Sequence, residues 1–221
     1  EIEHKKRKDK FLFPRQGSSL YHTTKIMDTD LFWFGVRIWN LKVTDLMQGP
    51  VYGIETEETR IDESLKTIFN YDEIFGTIIN RFITQAVTGH PLTVYGAGGQ
   101  TRGYLNIKDT LQCVYKSALN SAKSGELRIF NQIMETFSVN ELAKKVYKIG
   151  INRGHKVKIE NLENPRKELE KHYYNPVYQG LLDMGVSPHY LTDDVLNDIF
   201  KIVEKYQKNI RKEVIFRGIK W

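Results

Sequence analysis

The sequence has 221 residues and a mass of 25.8 kDa, with 40% hydrophobic and 27% charged residues. This composition excludes disordered and fibrous classes, and no apolar run approaches the roughly 18 residues that a membrane span needs. The net charge is +6, but the excess lies at the ends: residues 1–15 hold six Lys/Arg against three Asp/Glu, and residues 201–221 hold seven against two. A nucleic-acid-binding surface would carry basic residues across the body of the chain, so neither nucleic acid nor a membrane is an expected partner.

The cysteine content bears on the cellular location of the protein and on the kinds of site it can contain. A single cysteine, Cys113, excludes a disulfide framework and a multi-thiolate metal site. No spacing of His, Asp and Glu predicts a metal site, and the N-terminal residues lack the pattern of a signal peptide. We therefore expect a cytoplasmic protein, or one of the plastid stroma if the source is a photosynthetic eukaryote.

Apolar periodicity and capping signals predict an α/β protein with more helix than strand. The predicted helices cover 20–40, 72–88, 109–122, a segment opened by the capping box at 138–141, and a segment from about 192 to 210. The predicted strands cover 42–47, 92–95, 127–131 and 156–159. Residues 54–72 are polar and acidic, and we expect them to form a loop.

The first predicted helix carries Tyr21 and Lys25, four residues apart. Residues at this spacing share a helix face, so the phenol and the ammonium group can act at one site. A nearby cation favours the phenolate form of a tyrosine, and such a pair can take a proton from a sugar hydroxyl while a nicotinamide accepts a hydride. The spacing alone is common, so an ordinary surface tyrosine and lysine are the alternative.

The surrounding sequence repeats the order of features found in one enzyme superfamily. Small residues precede Tyr21, and a strand ending at the polar Gln48 follows it, before the triplet VYG at 51–53. Further along lie GHPLTVYG at 89–96 and GGQTRGY at 98–104. This order resembles the extended short-chain dehydrogenase/reductase superfamily, whose members act on nucleotide sugars.

Finer features resemble the UDP-sulfoquinovose synthase family within that superfamily. They are YH at 21–22 with Lys25, TDL at 44–46 with QG at 48–49, QTRGYL at 100–105, FNQ at 130–132, FSVNELA at 137–143, NPR at 164–166 and HYYN at 172–175. Gln48 favours this family over the related epimerases, which usually have Asn at that position. His22 is a second distinguishing feature, since the position after the tyrosine commonly holds a small residue in the superfamily.

One feature of the superfamily is missing from the sequence. The glycine-rich strand–turn–helix that holds the NAD diphosphate has no counterpart, because the glycine cluster at 96–99 follows a late strand and opens no helix. We therefore expect the C-terminal part of an NAD(P)-binding Rossmann-like enzyme that is inactive alone. The resemblance assigns 1–53 to the remaining half of the NAD-binding domain, 54–210 to the UDP-sugar-binding region and 211–221 to a basic tail.

The resemblance implies a reaction and catalytic roles. UDP-glucose and sulfite would become UDP-sulfoquinovose with bound NAD, through C4 oxidation, C5–C6 dehydration, sulfite addition and C4 reduction. Tyr21 would remove the C4 hydroxyl proton, and Lys25 would hold the nicotinamide ribose and favour the phenolate. His22 would position substrate or exchange protons at C5–C6, with a packed helix-face histidine as the alternative. Gln48 would hydrogen-bond the sugar or nicotinamide.

The remaining candidate residues would bind the UDP part of the substrate. Arg102 and Arg166 are candidates for the diphosphate, because a guanidinium bonds two oxygens at once. Tyr95 would pack on the uracil, and Thr77 would offer its hydroxyl and nearby helix amides to phosphate. Gln100 belongs to the same binding segment. A surface ion pair for either arginine, or a core position for Tyr95, would be the structural alternative.

Two other functions remain open at this point. A UDP-glucose 4-epimerase or a nucleotide-sugar 4,6-dehydratase belongs to the same superfamily. A non-catalytic binding or assembly module is the alternative from another class. Aromatic residues of the first helix favour a homodimer of the full-length enzyme through paired helices. These residues are Phe32, Trp33, Phe34 and Trp39.

Overall fold

A computed structural model describes residues 2–4, 6–9, 14–17, 19–66, 68–164 and 174–215. The chain divides into two compact units. The first contains Glu1–Asp45 with Ser121–Ile129, and the second contains Leu46–Asn120 with Phe130–Trp221. These units are defined by contacts between residues. The domains assigned from sequence, 1–53, 54–210 and 211–221, are defined by function and stay a prediction.

The described residues form nine strands and seven α-helices, and most of the strands follow one another in pairs between helices. The strands are β1 Ile2–His4, β2 Arg7–Asp9, β3 Lys42–Gln48, β4 Val51–Tyr52, β5 Leu92–Tyr95, β6 Thr101–Asn106, β7 Glu126–Gln132, β8 Glu135–Ser138 and β9 Ile159–Leu162. The helices are α1 Leu20–Trp39, α2 Glu57–Ile61, α3 Ile78–Thr88, α4 Ile107–Leu119, α5 Val139–Asn152, α6 Gln179–Asp183 and α7 Asp193–Lys205.

The long helix α1 dominates the first unit. Ser19 caps its start by accepting a hydrogen bond from the backbone N–H of His22, and Asn40 ends it in the left-handed conformation at φ 52°. The carbonyl of Asn40 accepts hydrogen bonds from the hydroxyl of Ser124 and the N–H of Gly125. Strands β1 and β2 form an antiparallel hairpin, and β3 pairs with β7.

The second unit contains two further sheets and the main hydrophobic core. Strand β6 lies between a parallel neighbour, β4, and an antiparallel one, β8, while β5 and β9 pair in parallel. Helices α3, α5 and α7 pack on one another around this core. Its fully buried members include Phe82, Ile83, Leu92, Leu142, Val146, Leu196 and Phe200.

Glycine at position 103 is required by close packing in β6. A Cβ atom at Gly103 would lie 2.5 Å from the Cγ2 atom of Ile133. Position 49 is restricted in the same way, since a Cβ there would lie 2.7 Å from the carbonyl oxygen of Gly103. The glycine of the QTRGY segment therefore has a packing role.

Several predicted elements are confirmed. Helix α1 and strand β5 have almost the predicted bounds, and the capping box at Ser138 and Glu141 opens α5 as expected. Thr192 caps α7, which ends at Lys205, five residues before the predicted end.

Other predictions were wrong in position or type. The expected loop over 54–72 contains α2, because Thr56 and Thr59 form a reciprocal capping box. The second helix starts at Ile78 instead of residue 72, since the Asp72 carboxylate accepts bonds from the N–H groups of Ile74 and Phe75 and fixes a turn. Five strands were not predicted: β1, β2, β4, β6 and β8. The last strand lies three residues later than expected, in register with β5.

Candidate functional site

The first turns of α1 bring together Tyr21, His22 and Lys25. Two-thirds of Tyr21 is exposed, and the ammonium nitrogen of Lys25 lies 5.9 Å from the centre of its ring. The ring of His22 meets the edge of Tyr21 at a centroid distance of 5.6 Å. The helical spacing therefore places a phenol, an imidazole and an ammonium group on adjoining parts of one accessible surface.

Lys25 has a second partner on the same helix. Its ammonium group lies 2.8 Å from the Oδ2 atom of Asp28. The hydrogen bond and the charge of Asp28 raise the pKa of Lys25 above its ordinary value, so the lysine stays cationic at neutral pH. Both side chains are exposed, so this ion pair is easily exchanged for another partner.

His22 is oriented by the residue that caps the helix. The Oγ atom of Ser19 lies 3.0 Å from Nδ1 of His22 and also accepts a hydrogen bond from its backbone N–H. One serine thus fixes both the first turn of α1 and the direction of the imidazole.

In the second unit, Tyr95 at the end of β5 lies between two charged side chains. Its hydroxyl donates to the Oε1 atom of Glu73 at 3.2 Å, and the guanidinium carbon of Arg81 lies 5.6 Å from its ring centre. Both Glu73 and Arg81 are 9% exposed. The sequence analysis missed these two residues. A charged residue on the buried face of α3 could have marked Arg81 as a candidate from sequence. Nothing in the sequence marked Glu73.

Gln100 and Arg102 follow this tyrosine in the chain, and Gln100 bonds it directly. The amide nitrogen of Gln100 donates to the carbonyl of Tyr95 at 3.3 Å, and Arg102 donates to the carbonyl of Thr101 at 3.0 Å. Burial raises the pKa of Tyr104, and the charges of Arg102 and Arg81 oppose that rise, so both guanidinium groups act on one tyrosine. The fold thus brings two arginines near Tyr104, and one of them, Arg81, also lies over the ring of Tyr95.

Polar atoms in this part of the unit are buried without an internal hydrogen bond. Among the described residues, no group bonds the side-chain oxygen of Gln100, the hydroxyl of Thr77 or the side-chain oxygen of Asn80. Thr77 is the N-cap residue of α3 and lies one turn before Arg81, whose N–H bonds its carbonyl. Buried polar atoms are costly unless they are bonded, so these atoms are suited to receive a polar ligand.

Two further candidate residues complete the set predicted from sequence. Gln48 is the last residue of β3 and is exposed. Arg166 lies outside the described residues. Cys113 is fully buried in α4, and burial raises the pKa of its thiol.

The described ranges hold neither a candidate metal site nor a candidate membrane span. In that part of the chain, no group of three His, Cys, Asp or Glu side chains could hold a metal ion. No helix within it is long and apolar enough to cross a membrane.

Comparison with known sequences identifies two similar enzymes. The chain is 45% identical to the chloroplastic UDP-sulfoquinovose synthase of Spinacia oleracea over 220 residues, which is 100% of this chain and 46% of that protein. It is 42% identical to the UDP-sulfoquinovose synthase of Sulfolobus acidocaldarius, over 97% of this chain and 55% of that protein. The chain therefore spans about half the length of these curated relatives. No family model matches it.

Comparison with solved structures gives the fold. The UDP-glucuronic acid 4-epimerase of Bacillus cereus, solved with UDP-glucuronic acid and NAD, superposes with a TM-score of 0.64 at 19% identity. The match covers 90% of this chain and 57% of the epimerase. The resemblance to UDP-sulfoquinovose synthases is thereby confirmed: this chain is similar to two of them over nearly all of its own length, and its α/β fold matches part of a nucleotide-sugar epimerase.

Proposed function

We propose that this chain supplies the catalytic tyrosine–lysine pair and the UDP-sugar-binding region of an NAD-dependent UDP-sulfoquinovose synthase. The observation that carries the proposal is 45% and 42% identity to two enzymes of that name over essentially the entire chain. The substrates would be UDP-glucose and sulfite, or sulfite delivered by a donor protein.

The accessible surface of α1 supports the proton-transfer role. The hydroxyl of Tyr21 takes the proton from the C4 hydroxyl of the sugar and later returns it, which is general base and general acid catalysis. Lys25 stays cationic and favours the phenolate through its charge. The exposed pairing of Lys25 with Asp28 leaves the ammonium group able to turn towards a ligand.

NAD, when bound, supplies the acceptor and donor of the C4 hydride. The residues present fit one end of it: Tyr21 and Lys25 are both exposed on one helix face, where Lys25 would bond the nicotinamide ribose. Gln48, exposed at the end of β3, would bond the nicotinamide or the sugar as donor and acceptor. The described residues include no glycine-rich strand–turn–helix for the diphosphate of NAD.

The second unit supports recognition of the UDP moiety. Arg102 would bond the diphosphate, with Arg166 as the partner proposed from sequence. Arg81 adds a cation beside Tyr95, whose ring would pack on the uracil. Gln100 and Thr77 offer buried polar atoms that no described residue bonds.

Sulfite addition is the step that distinguishes this proposal from epimerisation. Removal of the C5 proton and departure of the C6 hydroxyl together eliminate water, and sulfite then adds at C6 of the resulting double bond. His22, oriented by Ser19, is the side chain of this chain proposed to move protons at C5 and C6.

The test is an assay of the protein that carries this chain with UDP-glucose, NAD and sulfite, read by mass spectrometry. The proposal expects a sulfonated nucleotide sugar whose formation depends on sulfite. UDP-galactose would instead identify a 4-epimerase, and a stable 4-keto-6-deoxy sugar a 4,6-dehydratase. Absence of turnover together with retained UDP binding would leave a binding module.

The assembly state and location are further proposals. Aromatic residues of α1, including Phe32, Trp33 and Trp39, are between 38% and 64% exposed, which supports a homodimer formed through this helix. Sedimentation of the chain and of a Trp33→Ser, Trp39→Ser variant tests this: the proposal requires a dimer that the substitutions dissociate. We propose a cytoplasmic or stromal location.

A further inference from the structure

A small cavity of about 270 Å³ lies within the second unit, and none of the residues proposed to bind UDP lines it. Its walls include Ile54, Ile199 and Ile202, which give it an apolar floor, and His189 and Lys108, which are polar. Sites for drug-sized ligands usually have roughly 300–1,000 Å³, so this cavity suits a smaller molecule.

His189 is fixed at the cavity by a fully buried carboxylate. Its Nδ1 atom lies 2.6 Å from Oδ1 of Asp109, and its backbone N–H donates to Oδ2 at 2.9 Å. The side chain of Asp109 has no exposed surface, whereas that of His189 is 43% exposed. Gln112 donates a further bond to the same carboxylate. Within the described part of the chain no group bonds Nε2, so one nitrogen of a rigidly held imidazole is left for a ligand.

The charges around the cavity leave one cation uncompensated. The wall carboxylate of Glu55 accepts a bond from Arg60 at 3.3 Å, and that of Asp198 accepts one from Lys201 at 3.0 Å. Lys108, by contrast, forms no ion pair with any described residue. The wall therefore offers one lysine that no described carboxylate pairs with, and His189 lines the same cavity.

We propose that this cavity is a second ligand site, which binds a small organic anion such as a short-chain carboxylate. Lys108 pairs with the anionic group, the imidazole of His189 shares a hydrogen bond with it, and the isoleucine floor covers the short apolar part. This site is independent of the proposed UDP-sugar chemistry, and neither proposal depends on the other.

The probe is butyrate, titrated into the chain at constant ionic strength, with n-butanol as a neutral ligand of similar size. The measurement is the side-chain NMR signal of His189, assigned from its loss in His189→Gln. The proposal expects a saturable shift with a millimolar dissociation constant for butyrate, as few ligand atoms are bound. Butanol should bind more weakly.

The charge dependence separates a built site from general apolar binding. Lys108→Met should weaken the binding of butyrate by about tenfold, since it removes only the charged contact. The binding of butanol should not change. Lys144→Met, which changes an exposed lysine of α5, is the matched control and should leave butyrate binding as it is. Circular dichroism confirms that each variant is folded. A linear shift without saturation, equal binding of the two probes, or unchanged butyrate affinity in Lys108→Met would overturn the proposal.

Discussion

The two groups of candidate residues are built in opposite ways. Tyr21 and Lys25 are one helical turn apart, exposed, and fixed relative to each other by helix geometry alone. Glu73, Arg81 and Tyr95 come from a turn, a helix and a strand, and only the tertiary fold brings them together. The first arrangement can be read from sequence, whereas the second requires coordinates.

This difference has consequences for stability. Substitutions on the exposed face of α1 remove few packed atoms and are expected to change catalysis while leaving unfolding almost unchanged. Substitutions in the buried group change ligand binding and also leave polar partners unbonded, so they are expected to lower stability as well. The predictions below test this contrast.

The largest expected effect is that of Tyr21→Phe on catalysis. Loss of the hydroxyl should lower kcat by about 10²–10⁴-fold in the protein that carries this chain, since the general base is removed. KM for UDP-glucose and the thermal unfolding midpoint should change little, because the ring remains and is exposed. Steady-state kinetics with Tyr115→Phe, an exposed tyrosine of α4, provide the control. Near-normal kcat in Tyr21→Phe would exclude it as the base.

The next effect concerns the arginines proposed to bind the diphosphate. A charged hydrogen bond removed from one partner typically costs about 1.5–3 kcal/mol, so Arg102→Ala should weaken UDP binding by roughly 10–150-fold. Arg166→Ala is expected to act similarly. Arg102→Lys should recover only part of the loss, because lysine lacks the planar fork. Calorimetric titration of the chain with UDP measures this.

Two comparisons make the arginine test specific. Arg60→Ala removes an exposed arginine paired with Glu55 and should leave UDP affinity unchanged. Arg81→Ala should reduce both UDP affinity and the unfolding midpoint, because this side chain is 9% exposed. If Arg102→Ala, Arg166→Ala and Arg81→Ala all bind UDP as tightly as the unaltered chain, these arginines are structural and the proposed UDP site is wrong.

A smaller effect is expected from the helix cap in the same unit. Ser138→Ala removes the bond that its hydroxyl accepts from the N–H of Glu141 at 3.2 Å. We expect a loss of about 1 kcal/mol in the free energy of unfolding, measured by urea denaturation at neutral pH. Ser117→Ala, in α4, is the control without a capping role. An unchanged midpoint in Ser138→Ala would contradict the assignment of the cap.

The pH dependence gives an independent check of this cap. The backbone N–H and the hydroxyl of Ser138 hold the pKa of Glu141 below its ordinary value of 4.5. Because the pKa is lower in the folded state, the stabilisation is complete above about pH 4.5 and is lost as pH falls through the folded value. The stability difference between the unaltered chain and Glu141→Gln should therefore shrink in acid.

Local signals explain which parts of the fold could be predicted. Helix α1 and the capping box of α5 follow from sequence because periodicity and capping act within a few residues. The start of α3 and the position of β9 could not be predicted, because a side-chain-fixed turn and pairing with β5 decide them. The box that opens α2 uses Thr59 where Glu or Gln is usual, so its signal was missed.

The candidate residues divide in the same way. Tyr21 and Lys25 were found through helical spacing, and Arg102 through the resemblance of its segment. Arg81 and Glu73 become candidates only through their contacts with Tyr95, which lies 22 residues beyond Glu73. The role of a buried charged residue depends on the groups that contact it in the fold, and these can be distant in sequence.

The smallest expected effect separates the ring of Tyr95 from its hydroxyl. Stacking is worth about 0.5–1.5 kcal/mol beyond area burial, so Tyr95→Ala should weaken UDP binding by about twofold to tenfold. Tyr95→Phe keeps the ring but loses the bond to Glu73, and its UDP affinity should stay close to that of the unaltered chain. Its unfolding midpoint should fall, because the buried carboxylate of Glu73 loses a donor. Calorimetry and thermal unfolding of both variants, with Tyr147→Ala on α5 as a control, measure the two effects. Equal loss of UDP affinity in Tyr95→Phe and Tyr95→Ala would show that the hydroxyl, and not the ring, makes the contact.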